Sequence, residues 1–266
     1  MKLRVHQPDQ GLAAGNGAAP SEPPSWRRRA LAWGVHCYTA LGLLAAVWIT
    51  ASIIQGGADS FRLAFMLMIF ATAVDATDGT LARAVGVKKV LPGFDGAKLD
   101  DLIDFLTYAC LPLMLIWRAD LLPGMQACWL LAPLLASAYG FSQVHAKTAD
   151  GYFLGFPSYW NIVAFYFYVL RLPPWAKIPL LIFLSILTFV PSRYLYPTRQ
   201  GRWNWLANAL GAAWTCLLAW IVWRLPTDQP PGEESFWPTV ASLTYPIFYL
   251  TASWAVSIRH WQFNRK

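Results

Sequence analysis

Charge is scarce in this chain. Asp, Glu, Lys and Arg make up 13% of its 266 residues, about half the ~25% of an ordinary soluble domain. A soluble domain of this length must cover its surface with polar groups, and too few are present. Cysteine is scarce as well. Cys37, Cys110, Cys128 and Cys216 stand alone in apolar runs. No CxxC or Cys/His ligand spacing occurs, so neither a disulfide framework nor a zinc site is indicated. Disorder of the whole chain is excluded by 15 Trp and 11 Tyr, because disordered chains are charged and poor in aromatics.

What the chain has in abundance is apolar sequence, at 56% of residues. A bilayer core of ~30 Å needs about 20 apolar residues per helix. Runs near 31–54, 61–86, 95–117, 125–145, 157–171, 174–192, 203–223 and 236–258 meet that ruler, the fifth being short. The expected fold is all-α: a polytopic membrane bundle of about eight transmembrane helices over residues 25–266. Residues 1–24 are rich in Gly, Ala and Pro and read as a disordered cytoplasmic tail. Trp26 to Arg29 mark the membrane edge, and the run after them is too long for a signal-peptide core. Loop charge gives an independent test. With the N-terminus inside, sixteen of the 21 cations fall in inner segments, leaving Arg62, Arg118, Arg171, Lys177 and Arg224 outside. That bias puts both termini in the cytoplasm. It also explains the net charge of +7 without nucleic acid.

Most of these runs carry no acid. The second and third hold Asp75, Asp78, Asp100, Asp101 and Asp104, with Asp95 at the third's start. An ionised Asp near the bilayer centre costs about 2.5–3.5 kcal/mol. Four uncompensated ones would cost on the order of 10 kcal/mol, comparable to the stability of a domain. Helical spacing says which ones meet. Asp75, Asp78, Gly79, Ala82 and Arg83 lie on one stripe, and Gly96, Asp100 and Asp104 on another. A short link makes the two helices antiparallel neighbours. Asp75 and Asp104 then sit at similar depth, roughly 13–17 Å from the same interface. Four carboxylates are expected in one cytoplasm-facing pocket. Asp101, turned ~100° from Asp100, points elsewhere, and Asp95 reads as a helix cap. Such a pocket suits two Mg2+ or Mn2+ ions, which would offer positive charge to a phosphate-containing substrate. Gly79 and Gly96 leave room at its wall, and Arg83 has either an Asp or a phosphate to hold. A proton or sodium relay in a transporter is the competing reading, although no clear internal repeat is present.

The stretch Asp75-x-x-Asp78-Gly79-x-x-Ala82-Arg83, twelve residues, then Gly96-x-x-x-Asp100-x-x-x-Asp104 resembles the signature of the CDP-alcohol phosphatidyltransferase family. The twelve-residue spacing is longer than most members have. The insert Val85 to Asp95 is similar to that of the family's bacterial phosphatidylcholine synthase branch. Weaker similarities to that branch lie in Gly155–Asn161 and in the basic segment from Pro191 to Arg199.

The resemblance implies transfer of a phosphatidyl group from CDP-diacylglycerol to choline at the cytoplasmic face of a bacterial inner membrane. The products would be phosphatidylcholine and CMP. By position it implies Asp75, Asp78 and Asp100 as metal ligands, and Asp104 as general base that also touches a metal. Asp78, Gly79, Ala82, Arg83 and Gly96 would line the CDP-diacylglycerol site. It also implies a homodimer. Serine, inositol or glycerol phosphate remain alternative acceptors. Choline's quaternary ammonium carries no N–H, so its site should use aromatic faces. Tyr139, Phe141, Tyr152, Phe153, Tyr159 and Trp160 lie near the inner side, while His36 and Thr39 have the register to face the pocket from the first span.

Overall fold

The computed structural model describes residues 24–144, 148, 152–195 and 202–263, without the side chains of residues 202–205 and 263. The expected tail up to residue 23, Lys147 and the segment from Tyr196 to Arg199 lie outside the described residues.

The described chain is all-α apart from one small strand pair. Its elements are α1 (Trp26–Thr39), α2 (Leu41–Gln55), α3 (Ala58–Val85), α4 (Val87–Val90), α5 (Gly96–Asp104), a π-helical turn (Phe105–Cys110) and α6 (Leu111–Arg118). A 3-10 turn (Gly124–Leu130) then leads into α7 (Leu131–Phe141), β1 (Tyr152–Leu154), α8 (Trp160–Leu170) and α9 (Pro174–Phe189). The chain continues through β2 (Arg193–Leu195), α10 (Arg202–Arg224), α11 (Glu233–Ser242) and α12 (Thr244–Phe263). Three helical stretches are long and apolar enough to cross a membrane: Trp26–Gln55, Ala58–Val85 and Leu206–Arg224.

Local chemistry sets the boundaries. Only Ala40, in helical conformation, separates α1 from α2. Helix α3 stops at Gly86, whose φ of +69° gives the left-handed cap that glycine adopts without strain. Asp95 starts α5 by accepting the Ala97 and Lys98 N–H groups, the cap expected for it. Pro112 sits in the first turn of α6 and has no N–H to give. The ladder widens just before it, and the Leu111 N–H bonds the Leu106 carbonyl five residues back.

Helix α8 is buried nearly all round, from Trp160 through Val169. It is therefore a central core helix. At 11 residues its length is about 16 Å, half a bilayer core, in keeping with the short fifth run. Helices α2 and α3 pack on one side of the core, while α6 packs against α8 and α7 against α9. A side chain at Gly42 would lie 2.5 Å from Ile103 Cγ2, so glycine there lets α2 and α5 approach closely.

The cations at the end of the bundle away from Asp75 have an unforeseen task. Arg118 donates to the Gln55 carbonyl at 3.5 Å, Lys177 to Leu121 at 2.7 Å and Arg62 to Leu225 at 3.3 Å. Each carbonyl lies at or just beyond a helix C-terminus, where backbone acceptors lack intrahelical partners and positive charge is favoured. Three of the five cations that run against the loop-charge bias are thus held by helix ends.

The strand pair was likewise not expected. β1 and β2 run antiparallel, with Tyr152 opposite Leu195 and Leu154 opposite Arg193. The edge of β2 is covered by one stripe of α12. Ser257 and Ser253 accept the Arg193 and Leu195 N–H groups at 2.6 and 3.2 Å, and Tyr249 donates to the Leu195 carbonyl at 3.0 Å. Strand edges left open invite pairing with other chains. The two segments singled out in the sequence, around residues 155 and 193, form one unit: Gly155 N–H bonds the Ser192 carbonyl at 2.9 Å. Gly155 has φ +81°, and a Cβ there would strike the Thr188 backbone oxygen.

Candidate active site

Helices α3 and α5 carry the acids. Oxygens of Asp75, Asp78 and Asp100 all lie within 4.8 Å of one another. Asp78 is buried and the other two are half-buried. Three carboxylates at this spacing repel strongly in a low dielectric, and a hard divalent cation with oxygen ligands relieves that repulsion. The donor set therefore fits Mg2+ or Mn2+.

The fourth carboxylate, Asp104, is one turn beyond Asp100 and is not part of that close trio. It lies beside Tyr108, near enough with Asp75 to act electrostatically on the tyrosine hydroxyl. Tyr108 donates to Asp75 Oδ2 at 2.8 Å. Its place beside the acids is not apparent from α-helical spacing. The sequence signal that points to it is Pro112, which forces the wide turn holding Tyr108. In a regular helix, residues four apart drift round the axis by about 40° per step. A π turn reduces the rotation per residue, which keeps Tyr108 on the face of Asp100 and Asp104.

From α1, Thr39 Oγ1 donates to Asp78 Oδ2 at 2.7 Å, as its register in the first span suggested. Its neighbour Tyr38 shares a 2.7 Å hydroxyl contact with Thr77. The structure thus supplies two hydroxyls that hold carboxylates of the trio, one each on Asp75 and Asp78.

The remaining motif residues divide. Gly79 borders open space, since a Cβ there would meet only the Arg83 guanidinium at 3.3 Å. Arg83 is exposed and donates to Thr80 Oγ1 at 3.0 Å. Ala82 packs against the small cluster of Ala32, Val35, Val87, Val90 and Leu91, which docks α4 of the insert onto α1. Gly96 does grant a close approach, but what approaches is protein. A Cβ would sit 2.5 Å from His36 Cε1. His36 is buried, and its ring centroid is 4.4 Å from that of Phe94 and 5.7 Å from that of Trp33.

The aromatic candidates are also sorted. Tyr159 neighbours the acidic cluster through Tyr108: its ring is 6.1 Å from Tyr108 and 6.2 Å from Tyr249. Trp160 is fully buried and donates to Ser137 at 2.7 Å. Tyr139 packs on Phe189 at 4.6 Å, and Phe141 on Phe105 at 5.8 Å. Tyr152 lies under the Arg193 guanidinium, 5.4 Å from ring centre to Cζ, with Phe153 next to it on β1.

Fold and site together define an all-α protein with membrane-length helices and an acidic, cation-fitting cluster where one of them, α3, meets α5. No family model matches the chain. Similar proteins are the phosphatidylcholine synthases of Pseudomonas aeruginosa, 38% identical over 203 residues, and of Legionella pneumophila, 38% identical over 183. The first match covers 76% of this chain and 84% of that protein, and the second 68% and 71%. That of Legionella bozemanae is 41% identical over 150 residues, covering 56% of this chain and 69% of its own. The chain belongs to the phosphatidylcholine synthase family.

Proposed function

We propose that the chain transfers the phosphatidyl group of CDP-diacylglycerol to choline, releasing CMP, with Mn2+ or Mg2+ at the acidic cluster. The observation that carries this reading is the trio Asp75, Asp78 and Asp100 within 4.8 Å, in a chain whose relatives are named for the product.

Asp75, Asp78 and Asp100 would hold the cations, and Asp104 would also touch one of them. Bound divalent ions supply charge neutralisation to the diphosphate and its leaving group. The protein's own work is positioning and proton transfer. The choline hydroxyl oxygen forms a bond to the lipid-side phosphorus, the bond to the CMP oxygen breaks, and the hydroxyl proton passes to Asp104. Arg83, exposed beside open Gly79, would meet the CDP phosphates. Ala82 and Gly96 act behind that wall, through the α1–α4 contact and the His36 approach. The ammonium group is assigned to the faces of Tyr108 and Tyr159, within reach of negative Asp75 and Asp104.

The same reading includes a multi-pass arrangement of about eight spans in a bacterial inner membrane, with cytoplasmic termini and site. It is supported by the loop-charge bias and the apolar runs. It also includes the homodimer that the family resemblance implies.

The test is CMP release from CDP-diacylglycerol by the purified protein with Mn2+, offered choline, serine, inositol or glycerol phosphate. Release with choline alone is expected. Release with serine and none with choline would overturn the acceptor assignment, and no release with any alcohol would overturn the reaction.

A further inference from the structure

A groove of about 710 Å³ lies between α1 and α3, outside the acidic cluster. Apolar side chains line it, including Leu31, Val35, Leu81 and Val85, and Arg27 stands among them near Trp26. From Trp26 to Tyr38, twelve residues along α1, the groove runs about 18 Å. That is close to the depth of one leaflet's hydrocarbon, half of ~30 Å.

Its two ends differ in charge. At the outer end Arg27, Arg28 and Arg29 are exposed on the first turn of α1. Exposed Lys88 and Lys89 lie on α4, which packs against Ala32 and Val35 of α1. Ser25 precedes α1 without a side-chain bond to its first turn, leaving N–H donors there. No acid is among the described lining residues. At the inner end stand Tyr38 and Leu81.

We infer that this groove binds one acyl chain of an anionic glycerophospholipid, with the headgroup phosphate on Arg27 to Arg29 and Lys88–Lys89. Basic clusters at a membrane edge attract anionic headgroups, by a factor of about five per cation. The occupant is a lipid other than the transferase substrate. A substrate held by its diphosphate at Asp78 would send its tails toward the bilayer centre. This groove instead leads from the level of Asp78 back to the headgroup edge. The bound lipid would brace the Tyr38–Thr77 contact beside Asp78.

Native mass spectrometry of the full-length protein, titrated with phosphatidylglycerol or phosphatidylcholine, tests the site. One phosphatidylglycerol should be retained in clear preference to phosphatidylcholine. Arg27→Gln should weaken it about fivefold, and the triple change of Arg27, Arg28 and Arg29 to Gln on the order of a hundredfold. Gly34→Leu should weaken it about tenfold by filling the groove. A Cβ at Gly34 meets nothing within 4 Å, so that variant should fold, and the surface Arg variants give a second route if it does not. Equal retention of the two lipids, or unchanged binding in both Gly34→Leu and the triple variant, overturns the proposal. So does a Gly34→Leu variant that loses CDP-diacylglycerol instead, which would make this a substrate groove. A change of oligomeric state with lipid binding intact also overturns it, since the groove would then be an interface between copies.

Discussion

Removing the Thr39 hydroxyl should cripple metal binding without disturbing the fold. Thr39 Oγ1 donates to Asp78 Oδ2 at 2.7 Å, between residues that are 7% and 6% exposed. No bulk water can replace that donor. Valine keeps the shape and deletes the hydroxyl. A hydrogen bond to a charged acceptor is worth about 1.5–3 kcal/mol, or roughly 10- to 150-fold in an equilibrium constant. Groups that orient a metal ligand typically matter by about 10–100-fold. Thr39→Val is therefore expected to weaken Mn2+ binding by about 10–100-fold, while Thr39→Ser, which retains the donor, stays within about threefold. Electron paramagnetic resonance of free Mn2+ reads the affinity directly, without turnover. CMP release at saturating Mn2+ then shows how much activity the metal restores. Wild-type Mn2+ affinity in Thr39→Val would refute the reasoning. Equal losses in the Val and Ser variants would refute it too, by making the effect one of packing.

Further outcomes are expected. Tyr108→Phe, which keeps the ring and loses the 2.8 Å bond to Asp75, should lower Mn2+ affinity about tenfold and leave the KM for choline within about twofold, as read by metal titration and CMP release. Tyr159→Leu should raise the KM for choline by about 3–30-fold through loss of a cation–π face. Trp160→Phe, by contrast, should lower thermal stability and leave that KM alone, because its N–H serves buried Ser137. Gly96→Ala should cost about 1–3 kcal/mol of stability from overpacking on His36, and His36→Ala in the same chain should restore most of the lost melting temperature.

Much of this architecture can be read from residue spacing, because membrane helices impose strict periods. Of the four carboxylates expected to converge from the stripes 75/78 and 96/100/104, Asp75, Asp78 and Asp100 do meet, while Asp104 stands one turn beyond Asp100. Asp95 caps as its position before Gly96 demands, and Thr39 faces Asp78 as its register requires. The misses have physical reasons. Tyr108 lies in a turn that is not α-helical, so an α-helical stripe misstates its direction. Gly96 looked like room for a ligand, whereas the space is taken by His36, sixty residues earlier in the chain. Trp160 looked like an interfacial aromatic because apolar content cannot tell a lipid-facing helix from a core helix such as α8. The strand pair had no alternating pattern to announce it, since three-residue strands are too short to show one. Three of the five cations that break the loop-charge trend, Arg62, Arg118 and Lys177, bond helix ends, a local reason that only tertiary contacts reveal.

On the function proposed above, carboxylates of α3 and α5 gather divalent cations that make phosphatidyl transfer possible. The most direct measurement is CMP release by purified protein stripped with EDTA, assayed with CDP-diacylglycerol and choline before and after Mn2+ is returned. The stripped protein should release no CMP, adding Mn2+ or Mg2+ should restore release, and Asp78→Asn should show no recovery. Undiminished release from the metal-free protein would contradict it.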